Sequence, residues 1–466
     1  MTFIIARKEF TESLRDGRYR WTAIIVFALL GVALLAGARY QQALVAQQRA
    51  AQAAEQSRWY NQTPKGPHSA AHYGLYVFKR RLAPAFLDPG VEPYTGVAVW
   101  LEAHKQNEML FRPAEDATLA QRFADLTVAL VLQIMLPLAI VLLAFNAFAG
   151  ERERGTLRSL LALGLRPRDL VLGKLMGLGG ALALVIVPAL VLGAVTLGLA
   201  GPAAGASRFA VLALIYVAYL ASFLLVALAV SARAATPRVA LVVLLGFWGG
   251  SCLVAPRTLA DVAATLHPLP EPISFKARLA AALGDPEGAS AAIVKERVAA
   301  LVKQYGVARP EDLPLDLNGV RLQVGEDHGY EIFDRFYGEL FSPMQAQNDF
   351  LERAAALFPL LGVQSLSMGL AGTDLAQHRD FIRAAEAHRR ATIKILNDDI
   401  LAHPAKHGAT HLGDKHLWAK VPPFGYEPPG VGWVLTQHAT ALVFVFAWLV
   451  AAAWFALRGA AALRPV

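Results

Sequence analysis

The chain has 466 residues, 55% of them hydrophobic and 17% charged, where a soluble domain carries roughly a quarter charged. Mean hydropathy is +0.41, and the apolar residues gather into runs that suit a bilayer, which takes about 20 residues of helix to cross. The net charge of +8 sits beside those runs, which argues for membrane orientation and against a nucleic-acid partner, and the single cysteine, Cys252, excludes an intrachain disulfide framework.

Residues 1–20 precede the first apolar run. Phe3, Ile4, Phe10 and Leu14 share one helical face, with Arg7, Lys8 and Arg15 elsewhere, the pattern of a helix lying in the membrane interface; a frayed charged tail is the plain alternative. Residues 21–37 read as the first span. Ala36-Gly37-Ala38 meets the small-residue rule for signal cleavage, but the lead contains Glu9, Glu12 and Asp16, so an uncleaved anchor is expected. Residues 38–125 form a first extracytoplasmic segment, opening on "QQALVAQQRAAQAAEQ", which can continue the first helix into water.

Further spans are expected at 126–149, 170–200, 209–230, a short 239–254, and 434–457. Residues 256–432 are then a large extracytoplasmic domain. It holds helix-period patterns such as "GASAAIVKERVAALVKQYG" and "HRDFIRAAEAHRRATIKILNDDI", and short strands are expected near "DLNGVRLQVGED". The fold class is an all-α membrane protein: six transmembrane helices, an amino-terminal interfacial helix and a mainly helical extracytoplasmic domain. Basic residues fix its orientation. The amino-terminal segment, the 150–169 link with Lys174, the Arg233–Arg238 link and the Arg458–Arg464 tail carry them, so both termini are expected in the cytoplasm of a bacterium, beneath its inner membrane.

The link "GERERGTLRSLLALGLRPRDLVLGK", residues 150–174, is both charged and patterned. Glu151, Arg152, Glu153 and Arg154 cannot stay in hydrocarbon and so end the second span. Gly155 breaks the helix and Thr156 is expected to cap a new short one with its side-chain oxygen. Leu157, Leu160 and Leu161 fall at i, i+3, i+4 and make one apolar face. Gly164 suits the stop, and Arg166-Pro167-Arg168-Asp169 starts the next helix, with Lys174 as a juxtamembrane anchor. Such a helix is suited to docking its leucines into another protein; leucines dipping into lipid are the bland reading.

The string "ERERGTLRSLLALGLRPRDLVLGKLMG" closely resembles the hallmark cytoplasmic segment of ABC-2 type ABC-transporter permeases. The resemblance implies that Glu151 to Leu157, Leu160, Leu161, Arg168, Gly173 and Lys174 couple the permease to its ATPase. The six-span layout with two large external insertions resembles the DUF3526-type subgroup. So does "LFPLLGVQSLSMGLAGTDLAQHRDFIRAAEAHRR", with Ala371-Gly372-Thr373-Asp374, His378, Phe381 and Arg389. The implied function is the permease subunit of a pump, an exporter by expectation, working with an ABC ATPase and a second permease subunit, identical or homologous, in the bilayer. No cofactor is expected in this chain; ATP and magnesium belong to the partner ATPase.

The sequence holds no G-x-x-x-x-G-K-[ST] phosphate loop, no H-E-x-x-H and no G-x-S-x-G, so a non-catalytic subunit is expected. Pro137 and Pro188 are hinge candidates in spans two and three, and Gly173 with Gly177 forms a G-x-x-x-G that permits close helix approach. Gln133, Asn146, Tyr216, Tyr219 and Ser222 are the polar groups of the spans; the lack of central acids and lysines speaks against an ion-coupled secondary transporter. His403, His407, His411 and His416 cluster externally, but Pro404 and Gly408 interrupt any regular helix and a solvated loop is expected over a metal site. The alternative function is a membrane-anchored extracytoplasmic binding or maturation factor with a metal link, which leaves the patterned cytoplasmic segment unexplained.

Overall fold

The computed structural model describes residues 1–116, 126–199, 205–284, 288–404 and 411–461. Among the described residues, six helices are long and apolar enough to cross a membrane: Gly17–Tyr60, Val128–Glu153, Pro167–Gly198, Ala206–Arg233, Pro237–Leu266 and Ala439–Gly459. The protein is an all-α membrane protein, and among the described residues it has one small sheet, outside the bundle. Without a hydrophobic force between helices in lipid, close packing of small residues holds such a bundle. The fourth and sixth spans pack against each other along their lengths, and Ala218, Ala227 and Ala229 on one and Ala441, Ala452 and Ala456 on the other are buried.

The amino-terminal helix, Thr2–Arg15, is separated from the first span by Asp16, whose carboxylate caps the second helix at the amide of Arg18, 2.9 Å away. That second helix then runs unbroken for 44 residues, to Tyr60. Its outer half is braced by the first external segment: the Gln41 amide donates to the Leu82 carbonyl at 3.0 Å.

Two span boundaries differ from those read in the sequence. The fifth helix does not stop at 254 but continues through Pro256 to Leu266. A π-turn at Gly250–Val254 ends just before the helix Ala255–Leu266, which places Pro256 in that helix's first turn, where a proline is tolerated. The sixth span begins at Ala439; residues 431–437 are a separate short helix, and the break falls at His438. Strands also form elsewhere than expected. Residues 317–354 are one 38-residue helix, because Val320 and Val324, four apart, are the positions that become buried, and Asp316 caps it at the amide of Asn318. The sheet lies in the first external segment as β1 (Leu75–Phe78), β2 (Ala98–Glu102) and β3 (Lys105–Leu110), antiparallel in that order.

Not all of the large external domain stays outside the bundle. The long helix ending at Ala354 and the next, Pro359–Ala371, form a hairpin that descends between the spans. The Trp448 indole donates to the carbonyl of Ala355 at the turn, 3.0 Å away. Trp448 lies nine residues into the sixth span, about 13 Å deep at 1.5 Å per residue. Gly362 permits the approach: a Cβ there would stand 3.2 Å from Val445 and 3.3 Å from the Ala441 carbonyl. Leu360, Val363, Leu366 and Leu370 join the membrane core. This run is too short and too interrupted to cross alone, which is the signature of a re-entrant or buried helix.

Candidate coupling site

The link between spans two and three is locked to the bundle at its first turn. Ser231 of the fourth span donates to the Phe145 carbonyl at 2.7 Å and accepts from the amides of Phe148 and Ala149 at 3.0 and 3.1 Å, satisfying helix-start groups that a chain reversal leaves open. Arg152 reaches across to the Ala232 and Ala234 carbonyls, 2.5 Å each. Glu153, Arg154 and Arg168 remain exposed. Gly155 adopts a left-handed conformation, φ +77°, and is itself the cap residue of the short helix Thr156–Ala162. Thr156 does not cap it: one position too far along, its hydroxyl donates backwards to the Glu151 carbonyl at 3.2 Å.

Lys174 is not an exposed anchor. Its ammonium is buried between the carboxylates of Glu9 and Glu151, at 2.7 and 2.9 Å, with Lys8 completing the cluster 3.3 Å from Glu151. Lys8 is held above its ordinary range, because Glu9, Glu151 and Glu12 together outweigh the opposing effect of its partial burial. The amino-terminal helix is thus seated on the start of the third span. Gly173 and Gly177 are the seat: a Cβ at Gly173 would stand 2.6 Å from Ile5, and one at Gly177 would stand 2.5 Å from Glu9. Thr2 adds a hydrogen bond to Asp169 at 3.1 Å. Ala6 and Glu9 face inward; of the apolar face inferred from sequence, Phe10 and Leu14 are half-buried while Phe3 and Ile4 are exposed, so that face is divided between protein and surroundings.

The leucine face also points inward. Leu157 is part of the main hydrophobic core, and Leu160 and Leu161 pack against it. They fasten the short helix to the spans of its own chain. Outside are Arg154, Arg158, Leu163, Arg166 and Arg168, with Leu163 80% exposed. Gly164, φ +81°, ends the helix.

The hinge candidates differ in setting. Pro137 lacks the amide that the Gln133 carbonyl would use, and the Tyr219 hydroxyl donates to that carbonyl at 2.8 Å. Trp248 does the same for Ile134 at 3.0 Å, so the π-turn at Val131–Met135 is held by spans four and five. Pro188 is exposed within the continuous third-span helix.

At the opposite end, a buried polar chain joins bundle and hairpin. Gln133 donates to Tyr216 at 2.9 Å, Tyr216 lies 2.8 Å from Ser367, and Ser367 donates to Asp88 at 2.5 Å. The external signature supplies the neighbouring ties. Thr373 donates to the Asp88 carbonyl at 3.0 Å, and Asp374 caps the helix Leu375–Ala402. His438 sits between Glu352 at 2.6 Å and Asp374 at 2.9 Å; with an acceptor on each ring nitrogen it is an imidazolium. Burial, then the charges of Lys79 and Arg112, push His378 down to about 3, so it stays neutral. Phe381 packs on Phe424 and Tyr426, and buried Arg389 grips Glu386 through two 2.8 Å bonds and reaches Glu326 at 3.3 Å. Sequence reading passed over Glu9, Asp88, Ser231 and Glu352, because each lies far along the chain from the run it serves.

Among the external histidines, His403 and His411 stack at 4.2 Å and both approach Asp399. His416 is exposed and outside that group, and His407 lies outside the described residues.

Six spans, a charged link folded into a helix at one end and an external domain keyed into the other define a multi-pass membrane transport subunit. A family model described as ABC-2 family transporter protein matches residues 3–312, and one described as a domain of unknown function, DUF3526, matches residues 278–427. The chain belongs to the ABC-2 family of transporter proteins and is a permease subunit with a DUF3526 region. No curated protein matches it.

Proposed function

We propose that this permease is the membrane half of an ATP-driven exporter, paired with a second permease chain and powered by two ABC ATPase subunits. It lies in the bacterial inner membrane, with both termini and the 150–174 link in the cytoplasm. The observation that carries the reading is the ion cluster of Lys174, Glu9 and Glu151. It ties the amino-terminal helix, the link and the third span into one body, so a push on any of them moves all three. The ATPase contacts the outward residues Arg154, Arg158, Leu163 and Arg166, while Glu151, Arg152, Gly155, Leu157, Leu160, Leu161, Gly173 and Lys174 transmit the movement from behind. ATP and magnesium reside in the ATPase. An apolar crevice among spans one to four, lined by Leu30, Leu132, Ile186, Phe209, Leu212 and Tyr216, favours a cargo with a hydrophobic part.

Co-expression with the cognate ATPase tests this. The wild-type chain should co-purify with the ATPase and hydrolyse no ATP by itself. The Arg158→Glu/Leu163→Asp variant, at equal membrane abundance, should lose most of the co-purified ATPase. Undiminished recovery, or ATP hydrolysis by the isolated chain, would overturn the assignment.

A further inference from the structure

We propose that His68, His72 and His104 bind a divalent transition cation of the zinc and copper(II) class on the external face. Their ligand atoms lie within 4.8 Å of one another. His68 and His72 belong to the short helix Pro67–Tyr73, where a spacing of four puts both rings on one face. Their Nε2 atoms are 3.2 Å apart, close to the roughly 3.3 Å that two nitrogens keep around a tetrahedral zinc at 2.0–2.1 Å.

His104 arrives from the two-residue turn between β2 and β3. The Ala103 amide bonds the Ala71 carbonyl at 3.1 Å, which fixes that turn against the helix. His104 itself is held at φ +62°, an unusual conformation for a residue with a side chain. The turn also presents the His104 amide to Glu326, 2.7 Å away, so the conformation and the ring position are set together. The rings are mutually inclined, by 83°, 53° and 57° at centroid separations of 4.6, 5.2 and 5.2 Å. None of the three rings therefore stacks face to face on another.

A second layer is already in place. The His104 Nδ1 lies 2.8 Å from Glu326, a carboxylate–imidazole pair that fixes the tautomer and leaves the lone pair on Nε2. Glu326 is in turn held by Arg389 at 3.3 Å. Glu326 and Arg389 come from the second external segment and the histidines from the first, so the cation would clasp the two together. Three imidazoles without a thiolate suit zinc and copper(II) and are poor partners for magnesium or calcium. The Asp399 group differs: Lys420 already places an ammonium 3.3 Å from Asp399, and the His403 and His411 rings stack at an interplanar angle of 9°.

The test uses the full chain in nanodiscs, carrying His403→Ala/His411→Ala to silence the second group. After chelator treatment it is titrated with zinc and with copper(II) against a chromophoric competitor. One equivalent of either should bind, copper(II) more tightly, with no competition from millimolar calcium or magnesium. His72→Ala, at an exposed position, should weaken binding at least tenfold, and His68→Ala/His104→Ala should abolish it. Copper(II) in the parent protein should show electron-spin-resonance splitting from several imidazole nitrogens, a readout that needs no further variant. Unchanged affinity in the His72→Ala protein, or an oxygen-dominated copper spectrum, would overturn the proposal. Nothing in it depends on the ATPase.

Discussion

Lys174 and Glu9 stand 165 positions apart in the chain, yet their charged atoms meet at 2.7 Å and the lysine is 1% exposed. Removing the sole partner of a buried charge costs about 3–5 kcal/mol; Glu151, 2.9 Å from Lys174, offsets part of that cost when Glu9 is lost. Glu9→Ala should therefore loosen the amino-terminal helix and lower thermal stability in nanodiscs. The triple change Lys174→Met, Glu9→Gln, Glu151→Gln removes the three buried charges, leaving only the half-exposed Lys8, and should recover much of the loss. A triple variant less stable than Glu9→Ala would show that the pairing itself, and not the stranded charge, sets the stability.

The short helix of the link separates two roles by face. Leu160→Asp places a carboxylate against the core of the chain and should destabilise the protein on the order of 3 kcal/mol, with early proteolysis in the 150–170 region. Arg158→Glu touches only the outer surface and should alter stability by about 0.5 kcal/mol or less, while still reducing co-purification of the ATPase. Limited proteolysis and thermal unfolding of both variants, with no ATPase present, check this. Equal stability of Leu160→Asp and wild type would mean that the leucines do not fasten the helix.

Much of this organisation is legible in the sequence, and the remainder is not for identifiable reasons. Apolar length marks the spans, and the turn at Gly155 and the stop at Gly164 follow from glycine and local charge. The direction of the leucine face is different. A stripe of Leu157, Leu160 and Leu161 says that one side is apolar but not whether its partner is another chain, lipid or the helix's own bundle. The entry of the helix Pro359–Ala371 into the bundle is not legible, because a run that short reads equally as soluble core. The cluster at Lys174 needs Glu9 and Glu151 from two other segments, and no local pattern announces such a meeting. The pair His68 and His72 drew no expectation from sequence, because its third member arrives only through the β2–β3 turn.

Asp88 offers a test by pH. Burial raises its carboxyl above the ordinary range, against the opposing bonds from Ser367, Gly90 and Gln133. An acid whose folded value is raised gives its full stabilisation below the unfolded value and loses it as pH rises through the folded one. Asp88→Asn cannot ionise. The stability of wild type relative to Asp88→Asn should thus fall as pH climbs above about 4. Paired thermal unfolding curves across that range measure the difference; a gap that stays constant, or grows in favour of wild type, would rule out a raised carboxyl.

The two ends of the bundle should lie on opposite sides of the membrane. Thr2 meets Asp169, and a Cβ on Gly459 would press on Arg233, so the amino terminus, both short basic links and the end of the sixth span share one end. The sheet and the long 317–354 helix are at the other, where Arg208 bonds the carbonyls of Gly369 and Leu370 at 3.0 and 3.2 Å. Lysine and arginine in short loops tend to be retained in the cytoplasm, so the basic end is the one proposed to face it. Replacing Cys252, the single cysteine, by serine gives a background for labelling. A cysteine at exposed Glu311 should react with an impermeant maleimide in intact spheroplasts. One at exposed Arg158 should react only after lysis. Reaction at position 158 in sealed cells would invert the topology and place the link where no cytoplasmic ATPase can reach it.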